Sequence, residues 1–295
     1  MQQVFSVRVL DGTTLRFANP MVGVESPIWK PRVKFREYWR LIREQPDDPA
    51  ETYHCTYLPN WINASARAFR GIIPNPEALF MNSRLDWAAS QSCQLLKSQL
   101  RQGNHLKIVK KVLCFGLGDI CRKPPEWMKR NAKTDAEISE QEVSFVRGAM
   151  TQHAIALTIR EICGDIADSH VELLAQDPDY TDETKSILTA SGFSIMGEHG
   201  AGGFAEIDDT SLVVSIFIEA PLKQIIADIA RPPIIISTGF DVFNDSEKPW
   251  VDAESPRTVE MWKEYEEKIP FPIAPDEDGM MKKLRDIYIY SKKNA

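Results

Sequence analysis

Short apolar runs alternate with longer amphipathic stretches through the middle of this chain. Runs over 108–115, 170–174, 193–196, 211–218 and 233–237 are rich in Val, Ile and Leu, and most are bounded by Gly, Pro, Asp or Glu. Runs of that length, apolar on both faces, predict buried parallel strands rather than half-solvated antiparallel ones. Between them, spacing at three and four residues predicts helices over 139–163, 182–190 and 221–230. Gly164 and Gly192 mark two helix ends, and Thr181 is a good N-cap for the helix that starts at 182. This βαβαβ rhythm predicts an α/β fold: a Rossmann-like, doubly wound, mostly parallel sheet with helices on both faces.

The flanks read differently. VFSVRVL alternates, Asp11-Gly12 is a turn signal and TTLRF is a return strand, so residues 1–30 predict a small β element. Residues 31–43 place Phe35, Tyr38, Trp39 and Ile42 on one side of a short helix, and 52–75 hold turn residues without a long period. Asn75-Pro76-Glu77 predicts a helix start, with the helix running to about Leu100 and stopping at Gly103. Residues 120–137 form an irregular charged insertion. The polar tail predicts helices near 256–268 and 278–289. The expected organisation is an N-terminal extension over 1–104, a Rossmann-type core over 105–245 and a helical tail over 246–295.

Composition narrows the classes. Apolar residues make up 43% of the 295 positions, ordinary for a globular chain. No apolar run reaches the length of a membrane span, and MQQVFSVRVLDG lacks the pattern of a secretory signal. Five scattered cysteines without a C-x-x-C, and five dispersed histidines without H-E-x-x-H, fit a cytoplasmic setting and give no metal-ligand pattern. The net charge of −7 disfavours broad nucleic-acid binding, yet ten Lys/Arg over 97–133 face only Asp119 and Glu126. Within that segment Lys107, Lys110, Lys111, Arg122, Lys123, Lys129 and Arg130 flank the strand end at 115, a pattern read either as a phosphate footprint or as a solvated surface.

The most informative segment is VLCFGLGDI. A buried strand stops at Gly116-Leu117-Gly118-Asp119, which opens a loop where backbone approaches a ligand at the carboxyl end of the sheet. As a dinucleotide fingerprint the motif is incomplete: Cys121 stands where the third glycine would be, and Pro124-Pro125 delay any helix. An NAD(P)-dependent oxidoreductase is therefore the least favoured reading. Other residues at expected strand ends are Asp177, Tyr180, Glu198 and Glu219, each also readable as an ordinary turn or loop residue. His153 lies within an amphipathic helix, where packing is the simpler role.

VLCFGLGD, TQHAIALTIREI, LLAQDPDYTDETKSILTASGF, LVVSIFIEAPLKQIIADIARP and IIIS, in this order, resemble the SRR-like domain, named for the plant protein "sensitivity to red light reduced". The resemblance covers about 105–240. Asp119 departs from the small residue usual in the family and puts a carboxylate in the loop. Within the family the chain is similar to fungal arginine-containing cyclodipeptide synthases, whose D-D-x-x-E motif is matched by Asp47-Asp48-Pro49-Ala50-Glu51. That resemblance implies an aminoacyltransferase that joins arginine, delivered on arginyl-tRNA, and a second amino acid, delivered on its own aminoacyl-tRNA, into a diketopiperazine. It implies no cofactor, because the aminoacyl ester is already activated; no P-loop is present.

Such chemistry needs carboxylates to hold a guanidinium, for which Asp47, Asp48 and Glu51 are candidates, as is Glu219. It needs a general base and an oxyanion site; backbone N–H groups of 116–119 are candidates for the latter. The basic segment would hold tRNA phosphates. The alternative is a non-enzymatic SRR-like regulatory or interaction protein.

Overall fold

A computed structural model describes residues 4–9, 12–24, 29–35, 55, 57–63, 70–102, 104–125, 128, 134–197, 202–216, 218, 220–238, 255–266, 268–275, 284 and 287–293. The chain divides into two compact units, Met1–Gly71 with Asn244–Pro249, and Ile72–Phe243 with Trp250–Ala295. The division falls at Gly71 rather than at residue 104, so the helices that follow Pro76 belong with the sheet.

In the first unit β1 (Val4–Arg8) and β2 (Thr14–Ala18) form the expected antiparallel hairpin, with Val4 opposite Ala18 and Arg8 opposite Thr14. Gly12 in the connection has φ +87°, which suits glycine. β3 (Trp29–Phe35) pairs antiparallel with β4 (Tyr57–Asn63). Residues 31–35 are thus strand, not the start of the expected helix. The sequence WKPRVKF alternates from Trp29 through Val33 and Phe35, and this period of two prevails over the helical spacing suggested further along. Val7, Val9, Cys55 and Leu58 form a small core of this unit.

The second unit begins with α1 (Pro76–Ala89) and α2 (Gln91–Arg101). One helix was expected here. It breaks at Ser90, whose backbone is extended and whose hydroxyl accepts from Cys93 N–H while donating to the Trp87 carbonyl. A serine that competes for backbone hydrogen bonds ends one helix and caps the next. Asn75 takes a left-handed conformation and makes no side-chain cap, so Pro76 and the first-turn Glu77 carry the start signal. A 3₁₀ turn, Asn104–Ile108, leads into β5 (Lys111–Phe115).

α3 (Asp135–Ala167) is longer than expected at both ends. Thr134 and Glu137 form a capping box that moves its start ahead of 139. It runs through Gly164 and closes at Asp168, in the left-handed region with φ +47°. Then come β6 (Glu172–Gln176), α4 (Asp182–Ala190, capped by Thr181), β7 (Ser194–Ile195), α5 (Gly202–Ala205), β8 (Ser211–Ser215), α6 (Leu222–Ile229) and β9 (Ile234–Thr238). α7 (Pro256–Trp262), β10 (Ile269–Pro270) and β11 (Ile287–Ser291) complete the chain.

The seven-stranded sheet has the order β10-β11-β9-β8-β5-β6-β7. β9, β8, β5, β6 and β7 are parallel, and β11 is antiparallel to β9. The tail is therefore not purely helical: 287–289, expected at the end of a helix, lie in β11, between β10 and β9. Ile287-Tyr288-Ile289-Tyr290 alternates, and it sends Ile287 and Ile289 to one core while Tyr290 joins the other. One core lies beneath α1, α2, α3 and α4; the second lies beneath α6 and α7. The chain steps outward from β5 to β6 and β7, then returns to β8 on the other side of β5. That reversal opens a crevice at the carboxyl ends of β5 and β8. Among the described residues no helix is long and apolar enough to cross a membrane.

Candidate functional site at the topological switch point

The loop 116–119 leaves β5 at this reversal. Gly116 and Gly118 have φ of +68° and +83°. A Cβ on Gly116 would sit 3.3 Å from the Ile218 Cα, and one on Gly118 would sit 3.2 Å from the Ala149 Cβ. The glycines thus let the loop wedge between the segment after β8 and the flank of α3.

Two carboxylates hold the loop in place. Asp177, just past β6, accepts from Gly118 N–H through Oδ2 at 2.7 Å and from Asp179 N–H through Oδ1 at 2.8 Å. Asp119 accepts from Cys121 N–H at 2.8 Å and Arg122 N–H at 2.7 Å through Oδ1, and from Thr181 N–H through Oδ2. Each carboxylate ties β5's loop to β6's loop, and each has both oxygens engaged by backbone N–H groups. A third tie runs from α3. His153 Nδ1–H donates to the Ala149 carbonyl at 2.7 Å, which leaves Nε2 to accept from the Tyr180 hydroxyl at 2.7 Å. The ring is fully buried, and burial pushes its pKa down to about 4, so it is neutral at physiological pH. Burial likewise raises the Tyr180 phenol well above its ordinary value.

Across from this frame lies a cavity of about 580 Å³, within the range of roughly 300–1,000 Å³ typical of small-molecule sites. Gly116 and Gly118 form one wall. Gln141, Ser144, Phe145, Gly148 and Gln152 of α3 form the other. Among the described residues lining it none is charged. The Oε1 atoms of Gln141 and Gln152 are buried without a hydrogen-bond partner, and Gln152 is only 5% exposed. A buried acceptor left unmet costs about 1–3 kcal/mol. Both glutamines line the cavity, and a ligand with N–H donors that reached their oxygens on binding would relieve that cost.

The family model for the SRR1 domain matches residues 94–291, two thirds of the chain. The chain belongs to the SRR1 domain family. A comparison with curated proteins gave no match. The matched span runs from within α2 to the last residue of β11, so the SRR1 domain here takes in the whole parallel sheet and its antiparallel edge.

Several residues singled out in the sequence make hydrogen bonds or ion pairs within this SRR1 domain. Gly116 and Gly118 do line the cavity, but Asp119, Asp177 and Tyr180, expected to contact substrate, are engaged within the frame. Gly118 N–H, one of the expected oxyanion donors, is held by Asp177. The basic segment is split between the two ends of β5. Lys107, Lys110 and Lys111 lie at its amino end, about 16 Å along the strand from the loop. There Lys111 pairs with Asp208 at 2.9 Å and Glu206 at 3.4 Å. Burial disfavours the charged Asp208, but hydrogen bonds from Lys111, Thr210 and Ser211 outweigh it and hold the carboxyl at about 2. At the carboxyl end Arg122 donates to the Asp179 carbonyl at 2.7 Å, and Lys123 pairs with Glu142 at 3.3 Å. These five cations do not form one surface, because a strand separates them. Asp47, Asp48, Glu51, Lys129, Arg130, Glu198 and Glu219 lie outside the described residues. Cys114, inside β5, is buried, which raises its thiol pKa and removes its nucleophilic form.

The residues that sequence reasoning missed are Gln141, Ser144, Gly148 and Gln152. Ser144-Gly148-Gln152 recurs at four-residue spacing, a polar and small stripe along one side of the helix. That stripe was the available signal.

Proposed function

We propose that this SRR1-domain chain binds a compact small molecule in the cavity at the switch point, through N–H donors carried on a flat or apolar body. The observation that supports this reading is the pair of buried, unmatched amide oxygens of Gln141 and Gln152 beside the glycine loop. Phe145 offers the ligand an aromatic surface, and the uncharged walls favour a neutral molecule over a dinucleotide's phosphates. Adenosine and benzamide are suitable probes, since an amide side chain complements the donor and acceptor edge of either. With ¹⁵N-labelled full chain, titration should give saturable shifts at Gly116, Gly118 and the Gln152 side-chain amide. No shift at these positions with either probe at millimolar concentration would refute the reading.

A second, more specific reading is favoured by the D-D-x-x-E at 47–51 and by the similarity to fungal arginine-containing cyclodipeptide synthases. In it the chain is an aminoacyltransferase that uses arginyl-tRNA and a second aminoacyl-tRNA. Asp47, Asp48 and Glu51 hold the arginine guanidinium by charge-assisted hydrogen bonds. Incubation with charged tRNAs should then yield a cyclo-arginine-Xaa product by mass spectrometry, and alanine at Asp47, Asp48 or Glu51 should remove it. Folded protein that gives no product with any aminoacyl-tRNA pair leaves the SRR1 chain as a binding or regulatory module.

A further inference from the structure

We infer that a second site, separate from the switch point, binds an oxyanion carried on an apolar body, between α1 and α3. Arg84 of α1 and Arg160 of α3 line one cavity of about 330 Å³. Arg160 lies eight residues beyond Gln152, about 12 Å along the helix axis, so this cavity is not the one at the glycine loop.

Three observations point to an anion. Arg160 lines the cavity, and its Nε is buried with no hydrogen-bond partner. Arg84 rests its guanidinium carbon 5.9 Å from the Phe80 ring centroid. That contact takes up the face of the guanidinium and leaves its in-plane N–H groups open. Among the described residues no carboxylate pairs with either arginine; Glu161, the one acidic lining residue, has its carboxylate 3.9 Å from Lys97 Nζ. Two arginines on the lining of one cavity, neither paired to a carboxylate, match the charge and hydrogen-bond donors that a phosphate or carboxylate requires.

The remaining walls set the ligand's body. Leu85 and Met81 are 61% and 49% exposed at the rim, and Trp87 forms a buried wall. Trp87 Nε1–H already donates to Thr158 Oγ1 at 3.0 Å, and that hydroxyl donates to the Ala154 carbonyl, so this wall is fixed and offers apolar surface. Ser191, at the end of α4, adds a polar group to the lining. The chemistry that fits is a small organic phosphate or carboxylate with an aromatic or aliphatic body.

The test uses the full ¹⁵N-labelled chain with phenyl phosphate, and phenol as the same body without the charge. The reporter is the Trp87 indole N–H resonance, identified by its loss in Trp87→Phe. Phenyl phosphate should shift it saturably and phenol should not, while the Gln152 side-chain amide stays unmoved. Arg160→Gln should weaken binding by about tenfold or more, as expected for a lost charged hydrogen-bond partner, and Arg84→Gln should also weaken it. Because Arg84 is half-buried at the surface, that variant keeps the test open if Arg160→Gln does not fold. The proposal is overturned if phenyl phosphate gives no saturable shift. It is also overturned if phenol binds equally well, or if a folded arginine variant binds phenyl phosphate as the parent does.

Discussion

The frame behind the glycine loop and the cavity wall in front of it are built from opposite materials. The frame holds the conspicuous chemistry: Asp119, Asp177, His153 and Tyr180. Every one of them is committed to hydrogen bonds inside the fold. The wall holds unremarkable chemistry, two glutamines and a stripe of small residues, yet its amide oxygens are unmatched. A carboxylate whose lone pairs are filled by backbone N–H groups acts as a strut, whatever its charge. A neutral amide with an open lone pair in a cavity is the better candidate for meeting a ligand.

That contrast predicts a graded set of effects. Asp119→Ala strips the acceptor from three backbone N–H groups and should cost about 4 kcal/mol in urea unfolding; a stable, fully folded Asp119→Ala would place that carboxylate outside the frame. The buried His153 comes next. Its folded pKa of about 4 lies below its unfolded value of 6.5. The unfolded chain therefore binds the proton more readily, and stability present above pH 6.5 is lost as pH falls toward 4. The loss should reach about 3 kcal/mol, read as the urea midpoint against pH, and His153→Phe should flatten that slope. Gly118→Ala should cost about 1–2 kcal/mol, since it forces a left-handed conformation and crowds Ala149. It should also weaken adenosine or benzamide binding, measured by titration, because the loop forms a cavity wall.

Legibility in the sequence followed the same division. The parallel core was readable because its strands are short β-branched runs and its helices carry sharp start and stop signals, as at Thr181 and Gly192. The edges were harder. β3 and β11 alternate only over a few residues, and a helical spacing overlaps both, so local period could not arbitrate. The break at Ser90 depends on one hydroxyl's choice of partner, which sequence does not display. At the site, Gly116 and Gly118 were legible because a strand ending in two glycines implies close approach. Asp119 and Asp177 were legible as important but not as struts: whether a carboxylate is filled or open depends on N–H groups 59 and 62 residues away. Gln141 and Gln152 were illegible for the converse reason, since a helical glutamine is ordinarily solvated, whereas here Gln152 is buried and Gln141 half-buried.

The most direct test of the contrast is the unfolding free energy of Gln152→Leu. If its carbonyl is unmatched inside the fold, replacing it with an apolar side chain of similar size removes a penalty and no bond. Stability should then stay within about 0.5 kcal/mol of the parent or rise. A loss of about 2 kcal/mol or more would mean that Gln152 is itself part of the frame, and that the cavity's open acceptors do not mark the site.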